Sequence, residues 1–197
     1  MTTTREQFLQ RVREGVVEGN RAGGSPPLPE RGAVGYQGAG ADPVARFCTE
    51  FAAAGGHTHV VADRAGAGIV ILDLVRACSV RRLLLGGGDV LTALSVVEPL
   101  RTLGVEVITA TDHEGFFHAD LGLTGVDYLI AETGSVILAS RPEQPRSLSL
   151  LPPIHIAVAE RRQILPDLFD LFATLEAKQE ELPACVSIIT GPSKTGD

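Results

Sequence analysis

The chain has 197 residues, of which 44% are hydrophobic, and it carries a formal net charge of −7 at pH 7. This length and apolar content allow one domain with a full core and a small N-terminal arm. The acidic balance, without a cluster of Lys and Arg, argues against a nucleic-acid-binding surface. No window of the sequence approaches the roughly 18 apolar residues that a membrane span requires. We therefore expect a cytoplasmic protein that binds neither nucleic acid nor membrane.

Metal and cluster binding are not indicated. Cys48, Cys78 and Cys185 are far apart and form no CxxC pair, whereas an iron–sulfur cluster or a structural zinc site needs grouped ligands. His113 and His118 are five residues apart, so they do not share a helix face as the histidines of HExxH do. We predict reduced, buried thiols and neither a metal nor a cofactor held by this chain.

Residues 1–41 are predicted to form an N-terminal helix followed by a linker. Apolar residues recur near helical spacing between residues 4 and 20, which indicates an amphipathic helix. Its apolar face is expected to pack on the main body or on a second subunit, so a homo-oligomer is left open. Residues 21–41 are rich in Gly and Pro and are predicted to form the linker. The main domain then occupies residues 42–197.

The main domain shows the alternating pattern of an α/β fold. Asp42 followed by Pro43 is typical of a helix start. Helices are predicted at 43–54, 65–77, 90–103 and 166–182, and strands at 57–62, 82–85, 105–110, 155–158 and 185–190. Short strands separated by helical segments of about 10 to 15 residues are typical of a parallel sheet with helices on its faces.

Glu132-Thr133-Gly134 separates two apolar runs, at 128–131 and 136–139. A short connection that contains Gly between two such runs predicts a β-hairpin, so a carboxylate is held at a tight turn. Glu has no turn preference that would explain this position. We expect Glu132 to serve function more than folding, with a raised pKa unless a cation such as Arg146 lies near.

Two glycine turns follow predicted strands. Gly86, Gly87, Gly88 and Asp89 open a helix, where backbone N–H groups and the helix dipole can bind an anion. The dinucleotide fingerprint is incomplete because Leu91 stands where its last Gly is required. The alternative is a plain glycine turn with Asp89 as the N-cap. Gly191-Pro192-Ser193 follows the last strand, and in one parallel sheet both turns would bind an anion at the same edge.

His155 begins a strand after the corner at Pro152-Pro153, which fixes its backbone. Ser147 and Ser149 precede it, but no GxSxG elbow surrounds them, so a nucleophilic role for either would need a positioned base. A histidine hydrogen-bonded to structure is the alternative role for His155.

Together these residues resemble the signature of a known family. The matching positions are Gly122, Thr124-Gly125, Asp127, Ala131 to Gly134, Ser147-Leu148, Leu151-Pro152, His155 to Val158 and Gly191 to Thr195. From roughly Tyr36 to the end, this composite resembles the LUD domain, specifically the lactate-utilization protein C group. The family motif continues beyond Thr195, whereas this chain stops at Asp197, so we expect a last short element of the family to be missing.

The resemblance implies a three-layer α/β/α, Rossmann-like fold with a mostly parallel sheet. This fold is similar to that of the ribose-5-phosphate isomerase, glucosamine-6-phosphate deaminase and CoA-transferase superfamily. It also implies a role in oxidising L-lactate to pyruvate beside two partner proteins that carry iron–sulfur clusters. Class I CoA-transferases carry a nucleophilic glutamate in a Glu-x-Gly turn, to which Glu132-Thr133-Gly134 is similar.

We therefore expect a non-cluster component of an L-lactate oxidation system that binds a small anionic ligand. The candidate catalytic residues are Glu132 and His155. The candidate ligand-binding residues are Gly86, Gly87, Gly88, Asp89, Thr124, Gly125, Thr133, Gly134, Ser147, Gly191 and Ser193. One alternative is a transferase, isomerase or ligase-type enzyme that acts on a CoA, sugar-phosphate or folate-like substrate. Another is a regulatory or assembly protein.

Overall fold

The computed structural model describes residues 4–21, 29–31, 35, 37–109, 115–178 and 182–192. Contacts divide the chain into two units, residues 1–36 and 37–197. The first unit contains helix α1 (Arg5–Arg21), as its periodicity predicted. Three side chains of its apolar stripe, Phe8, Val12 and Val16, are 60%, 46% and 56% exposed.

The second unit contains six further α-helices and eight strands among its described residues. The helices are α2 (Pro43–Ala53), α3 (Arg64–Ala77), α4 (Asp89–Leu94), α5 (Val97–Thr102), α6 (Ser147–Leu150) and α7 (Leu168–Glu176). The strands are β1 (Arg82–Leu85), β2 (Glu106–Thr109), β3 (Leu121–Gly125), β4 (Tyr128–Ile130), β5 (Ser135–Ala139), β6 (Ile154–Val158), β7 (Ile164–Leu165) and β8 (Val186–Ile189). Short 3₁₀ helices span Gly115–His118 and Arg161–Gln163. The predicted α/β class is confirmed.

The first sheet is four-stranded and wholly parallel, in the order β2-β1-β3-β6. Leu83 on one face of β1 packs in a core with residues of α3, α4 and α5. Leu84 points to the opposite face, because side chains alternate along a strand, and it packs with Phe116 and with Leu148 of α6. Helical segments therefore cover both faces, and the predicted three layers are confirmed. The continuous apolar run of β1 is what burial on both faces requires.

The second sheet is mixed, in the order β7-β4-β5-β8. β4 and β5 form the predicted hairpin and pair antiparallel, while β8 is antiparallel to β5. On one face Leu171 of α7 packs with Ile130 and Ile137, and on the other face Phe47 of α2 packs with Val136. The last strand thus belongs to a different sheet from β1. The prediction that both glycine turns share an edge of one parallel sheet is wrong.

Three further predictions differ from the structure. The thiols were predicted to be buried, but Cys78 is exposed and Cys48 and Cys185 are half-buried. Residues 57–62 form no strand, and Val60 is 71% exposed, because this apolar run has no neighbouring strand to pair with in the described part of the chain. The helix predicted at 90–103 is two helices, α4 and α5. The break falls at Ser95, whose φ of 50° is left-handed and incompatible with a continuing α-helix.

Candidate functional site

A cleft opens where the two sheets meet, beside the carboxyl end of β3. Its cavity volume is about 10 Å³, which is room for roughly one water molecule, and it opens to solvent. Six of its nine lining residues have polar side chains, although most of the exposed lining surface is apolar. The lining residues are Thr124 from β3, Leu138, Ala139 and Ser140 from the end of β5, Gln144, Pro145, Arg146 and Ser149 from the segment around α6, and Ser187 from β8. Ligands of α/β proteins bind outside the carboxyl ends of parallel strands, so this cleft is the candidate site.

The segment that forms one wall of the cleft is held by close backbone packing. A Cβ on Gly122 would lie 1.9 Å from the carbonyl oxygen of Leu148, so only glycine lets α6 rest directly on β3. Gln144, 5% exposed, donates from Nε2 to the Gly125 carbonyl at 3.4 Å. These contacts fix the neighbouring Arg146 and Ser149 relative to the sheet.

His155 and Thr124 form a hydrogen-bonded pair at the cleft. Gly122 lies opposite His155 in the ladder of β3 and β6, so His155 and Thr124 share a face of the sheet. The Thr124 Oγ1 is 2.8 Å from the His155 Nε2. Burial lowers the pKa of His155 to about 4, so the imidazole is neutral at pH 7. The pair therefore fixes the hydroxyl of Thr124 at the cleft wall without adding a charge.

The charge of the lining favours an anion. Among the described residues that line the cleft, Arg146 is the ionised one, and the hydroxyls of Ser140 and Ser187 accompany it. The Ser149 hydroxyl also lies there but donates to the Arg146 carbonyl at 3.1 Å. Asp127 lies on the connection between β3 and β4 but is already engaged. Its carboxylate accepts from the Ala139 N–H at 2.6 Å and pairs with Arg141. A guanidinium among neutral hydroxyl donors suits a carboxylate or a phosphate.

The glycine turn after β1 packs against the same segment. The Gly86 N–H donates to the Leu123 carbonyl and the Gly87 N–H to the Glu143 carbonyl, each at 2.9 Å. The protein itself therefore uses these two donors. Gly88, with a φ of 113°, is the N-cap of α4, and Asp89 is its first residue, so Asp89 is not the N-cap that the alternative interpretation predicted.

Glu132 lies at the other end of the β5 strand from the cleft. The hairpin turn precedes Ser135, whereas the cleft begins near Ala139, a span of roughly 14 Å along an extended strand. Glu132 Oε1 accepts the Gln37 N–H at 2.7 Å, and the Gln37 side chain accepts from Arg46 at 2.9 Å. The cation expected near Glu132, Arg146, instead lines the cleft.

A second polar cluster surrounds this turn. The hydroxyls of Thr133, Ser135 and Thr190 form a chain with oxygen separations of 2.7 Å at each step. A Cβ on Gly134 would lie 2.3 Å from the Phe51 N, and one on Gly191 would lie 2.4 Å from the Ala54 carbonyl oxygen. The end of α2 therefore packs directly on both glycines.

The candidate residues thus divide between two places. Thr124, Gly125, Ser147 and His155 lie at the cleft or beside it, next to the turn of Gly86 to Asp89. Glu132, Thr133, Gly134 and Gly191 lie at the hairpin cluster, while Ser193 is outside the described residues. In the described ranges, no three His, Cys, Asp or Glu side chains are grouped so as to hold a metal.

Sequence reasoning missed Ser140, Gln144 and Ser187 as cleft residues. Ser140 directly follows β5, so the rule that polar residues at strand ends reach a cleft could have identified it. Ser187 lies inside a strand whose partner is set only by the tertiary fold, and Gln144 is in a loop. Neither carries a local signal of its position.

The fold and the cleft define an α/β protein with a ligand-binding edge on its parallel sheet. The LUD domain model matches residues 44–197, and the chain belongs to the LUD domain family, as its motif predicted.

Individual relatives agree with this assignment. "Lactate utilization protein C" of Halalkalibacterium halodurans is 39% identical over 82 residues, which cover 40% of this chain and 36% of the relative. The uncharacterized protein YkgG of Escherichia coli K12 matches with the same identity and coverage. The aligned segment thus spans about a third of the length of these curated relatives.

A crystal structure of a DUF162 family protein from Deinococcus radiodurans superimposes with a TM-score of 0.59 at 28% identity, covering 76% of this chain and 87% of that one. Of the helices in the described ranges, none is long and apolar enough to cross a membrane.

Proposed function

We propose that this protein is the non-cluster component of a system that oxidises L-lactate to pyruvate, and that the mouth of the cleft binds the carboxylate group of a small anion. We propose a carboxylate because Arg146 lies among serine residues in the cleft lining, at the carboxyl end of β3. The relatives named for lactate utilization support the system to which we assign it.

Different residues of the cleft have different proposed roles in binding. The guanidinium of Arg146 would hold the carboxylate by charge-assisted hydrogen bonds. The hydroxyls of Ser140 and Ser187 would complete its coordination, because the Ser149 hydroxyl already donates to the Arg146 carbonyl. Thr124 is 1% exposed and is held by neutral His155, so it would position the cleft wall behind these groups.

The oxidation itself requires an electron carrier. The three cysteines are scattered along the sequence. We therefore assign the electron carriers to partner proteins with iron–sulfur clusters. In this arrangement the chain binds the ligand, the clusters of the partners accept the two electrons that the oxidation of L-lactate to pyruvate releases, and the two protons pass to solvent.

The ligand is tested by calorimetric titration of the purified chain with L-lactate and with pyruvate. Removing a charge-assisted hydrogen bond costs about 1.5–3 kcal/mol, so Arg146→Gln should weaken binding by roughly tenfold or more. Arg161→Gln is the matched control, because Arg161 is also exposed but lies on a 3₁₀ helix outside the cleft. Equal affinities of the two variants for the carboxylate would exclude this cleft as the site. Binding of CoA or ribose 5-phosphate in place of lactate and pyruvate would favour the stand-alone enzyme.

The assignment to a lactate system is tested in cells. A strain that depends on this gene for growth on L-lactate should lose that growth with Arg146→Gln and keep it with Arg161→Gln, at equal protein levels. Affinity purification from lactate-grown cells should recover proteins with the visible absorbance of iron–sulfur clusters. Normal lactate growth after deletion of the gene would reject the assignment.

A further inference from the structure

Strand β8 has an open edge. Among the described strands it pairs with β5 alone. The Ser140 N–H donates to the Cys185 carbonyl at 2.9 Å, so these two residues form a hydrogen-bonded pair. Such pairs alternate along an antiparallel ladder. The backbone N–H and C=O groups of Val186 and Ile188 therefore point away from β5, along the free edge.

This edge is short, at four residues, but it lacks the charged side chains and proline that also prevent further strand pairing. Native edge strands are protected by charged side chains, by proline or by bulges, but residues 185–190, Cys-Val-Ser-Ile-Ile-Thr, contain no charged residue and no proline. Ile188 is 46% exposed on the face that α7 partly covers. Outward backbone groups of an extended strand accept another extended strand.

We propose that the occupant is a second copy of this chain, paired antiparallel through β8 about a twofold axis at Ile188. In this register Ile188 faces Ile188 of the second copy, and Val186 faces Thr190. The outward backbone N–H groups of each copy therefore meet the outward C=O groups of the other. The residue on the axis faces its own copy, so a charge there would meet its own sign, and β8 carries no charge at this or any other position. The two exposed Ile188 side chains bury each other.

The pairing joins the two mixed sheets into one of eight strands. Ser187 points to the opposite face from Ile188 and lines the cleft. The dimer therefore places the second copy beside the cleft of the first. This inference does not depend on which ligand the cleft binds.

The test is the mass of the full-length chain in solution as a function of concentration, measured by analytical ultracentrifugation. We expect twice the chain mass of 20.7 kDa for the native protein. Ile188→Lys sets two like charges against each other at the axis and should raise the dimer dissociation constant at least tenfold. Ile69→Lys, at an Ile that is 61% exposed on α3, is the matched control and should remain dimeric. A monomeric native protein, or an Ile188→Lys protein that dimerises as tightly as the control, overturns the proposal.

Hydrogen exchange provides a measurement that does not rely on a variant. The amides of Val186 and Ile188 should exchange at least tenfold more slowly in concentrated than in dilute native protein, because only pairing covers them. The amide of Ser187 bonds to β5 in either state and should change less. Exchange at Val186 and Ile188 that is independent of concentration in a sample shown to be dimeric would place the interface elsewhere.

Discussion

Gly122 is the position at which the wall of the cleft is most sensitive to a single methyl group. In Gly122→Ala the added Cβ would lie 1.9 Å from the Leu148 carbonyl oxygen, so the backbone of α6 must retreat by roughly 1.5 Å to reach an ordinary contact of 3.4 Å. The obstructing atom belongs to the main chain and cannot rotate away. Overpacking of this kind costs about 1–3 kcal/mol. We expect a loss in that range, or a melting temperature lower by roughly 2–12 °C, since each kcal/mol shifts a domain of this size by about 2–4 °C.

Gly125→Ala is the matched control on the same strand. Its Cβ would meet only the Gln144 Oε1, at 3.9 Å, which is an ordinary contact. Both changes reduce the entropy of the unfolded chain equally, by about 0.4–1 kcal/mol, so the difference between the two variants isolates the collision with α6. Denaturant unfolding measures the difference in stability between the two variants. Titration with L-lactate or pyruvate measures how far a shift of Arg146 and Ser149 weakens binding. If the two variants unfold within about 0.5 kcal/mol of each other, α6 does not rest on β3 as the structure shows.

Two further predictions concern the ionisable candidates. An unfolded histidine titrates near 6.5, and burial lowers the pKa of His155 to about 4. Between these pH values only the unfolded chain binds the proton, so stability should fall by up to about 3 kcal/mol as the pH drops through this window. His155→Gln should flatten that dependence in denaturant unfolding at pH 7 and 4.5, and an unchanged slope would contradict the buried neutral state. Glu132→Gln keeps an oxygen to accept the Gln37 N–H and should change stability by less than about 0.5 kcal/mol, whereas Glu132→Ala should cost about 1 kcal/mol. Loss of lactate-dependent growth in the folded Gln variant would show that the carboxylate acts in function, and normal growth at normal protein level would show that it does not.

The elements that the sequence predicted well are those whose signal is local. The run Arg82–Leu85 became β1 with the predicted bounds, and Asp42 caps α2 by accepting from the Val44 and Ala45 N–H groups. The hairpin around Glu132 also formed, because its turn and its apolar flanks are adjacent in sequence.

Features that depend on distant partners were not predictable in the same way. An apolar run such as 57–62 becomes a strand only when another strand pairs with it, and periodicity carries no information on that partner. Likewise the sequence of β8 does not predict that this strand runs antiparallel to β5 instead of joining the parallel sheet. That one pairing moves Gly191 away from Gly86 and brings it to Glu132, so it decides which candidate residues meet.

The junction between the two sheets explains why the cleft is built where it is. β3 leaves the parallel sheet and β4 enters the mixed one after only Val126 and Asp127, and this short crossover is tied on both sides. Gln163 donates to the Val126 carbonyl, and Asp127 accepts from the Ala139 N–H at 2.6 Å. The walls of the cleft therefore come from both sheets and share one connection that is held by hydrogen bonds within the protein. A preorganised site loses little conformational entropy on binding, so the small carboxylate that we propose as the ligand would need only a few contacts.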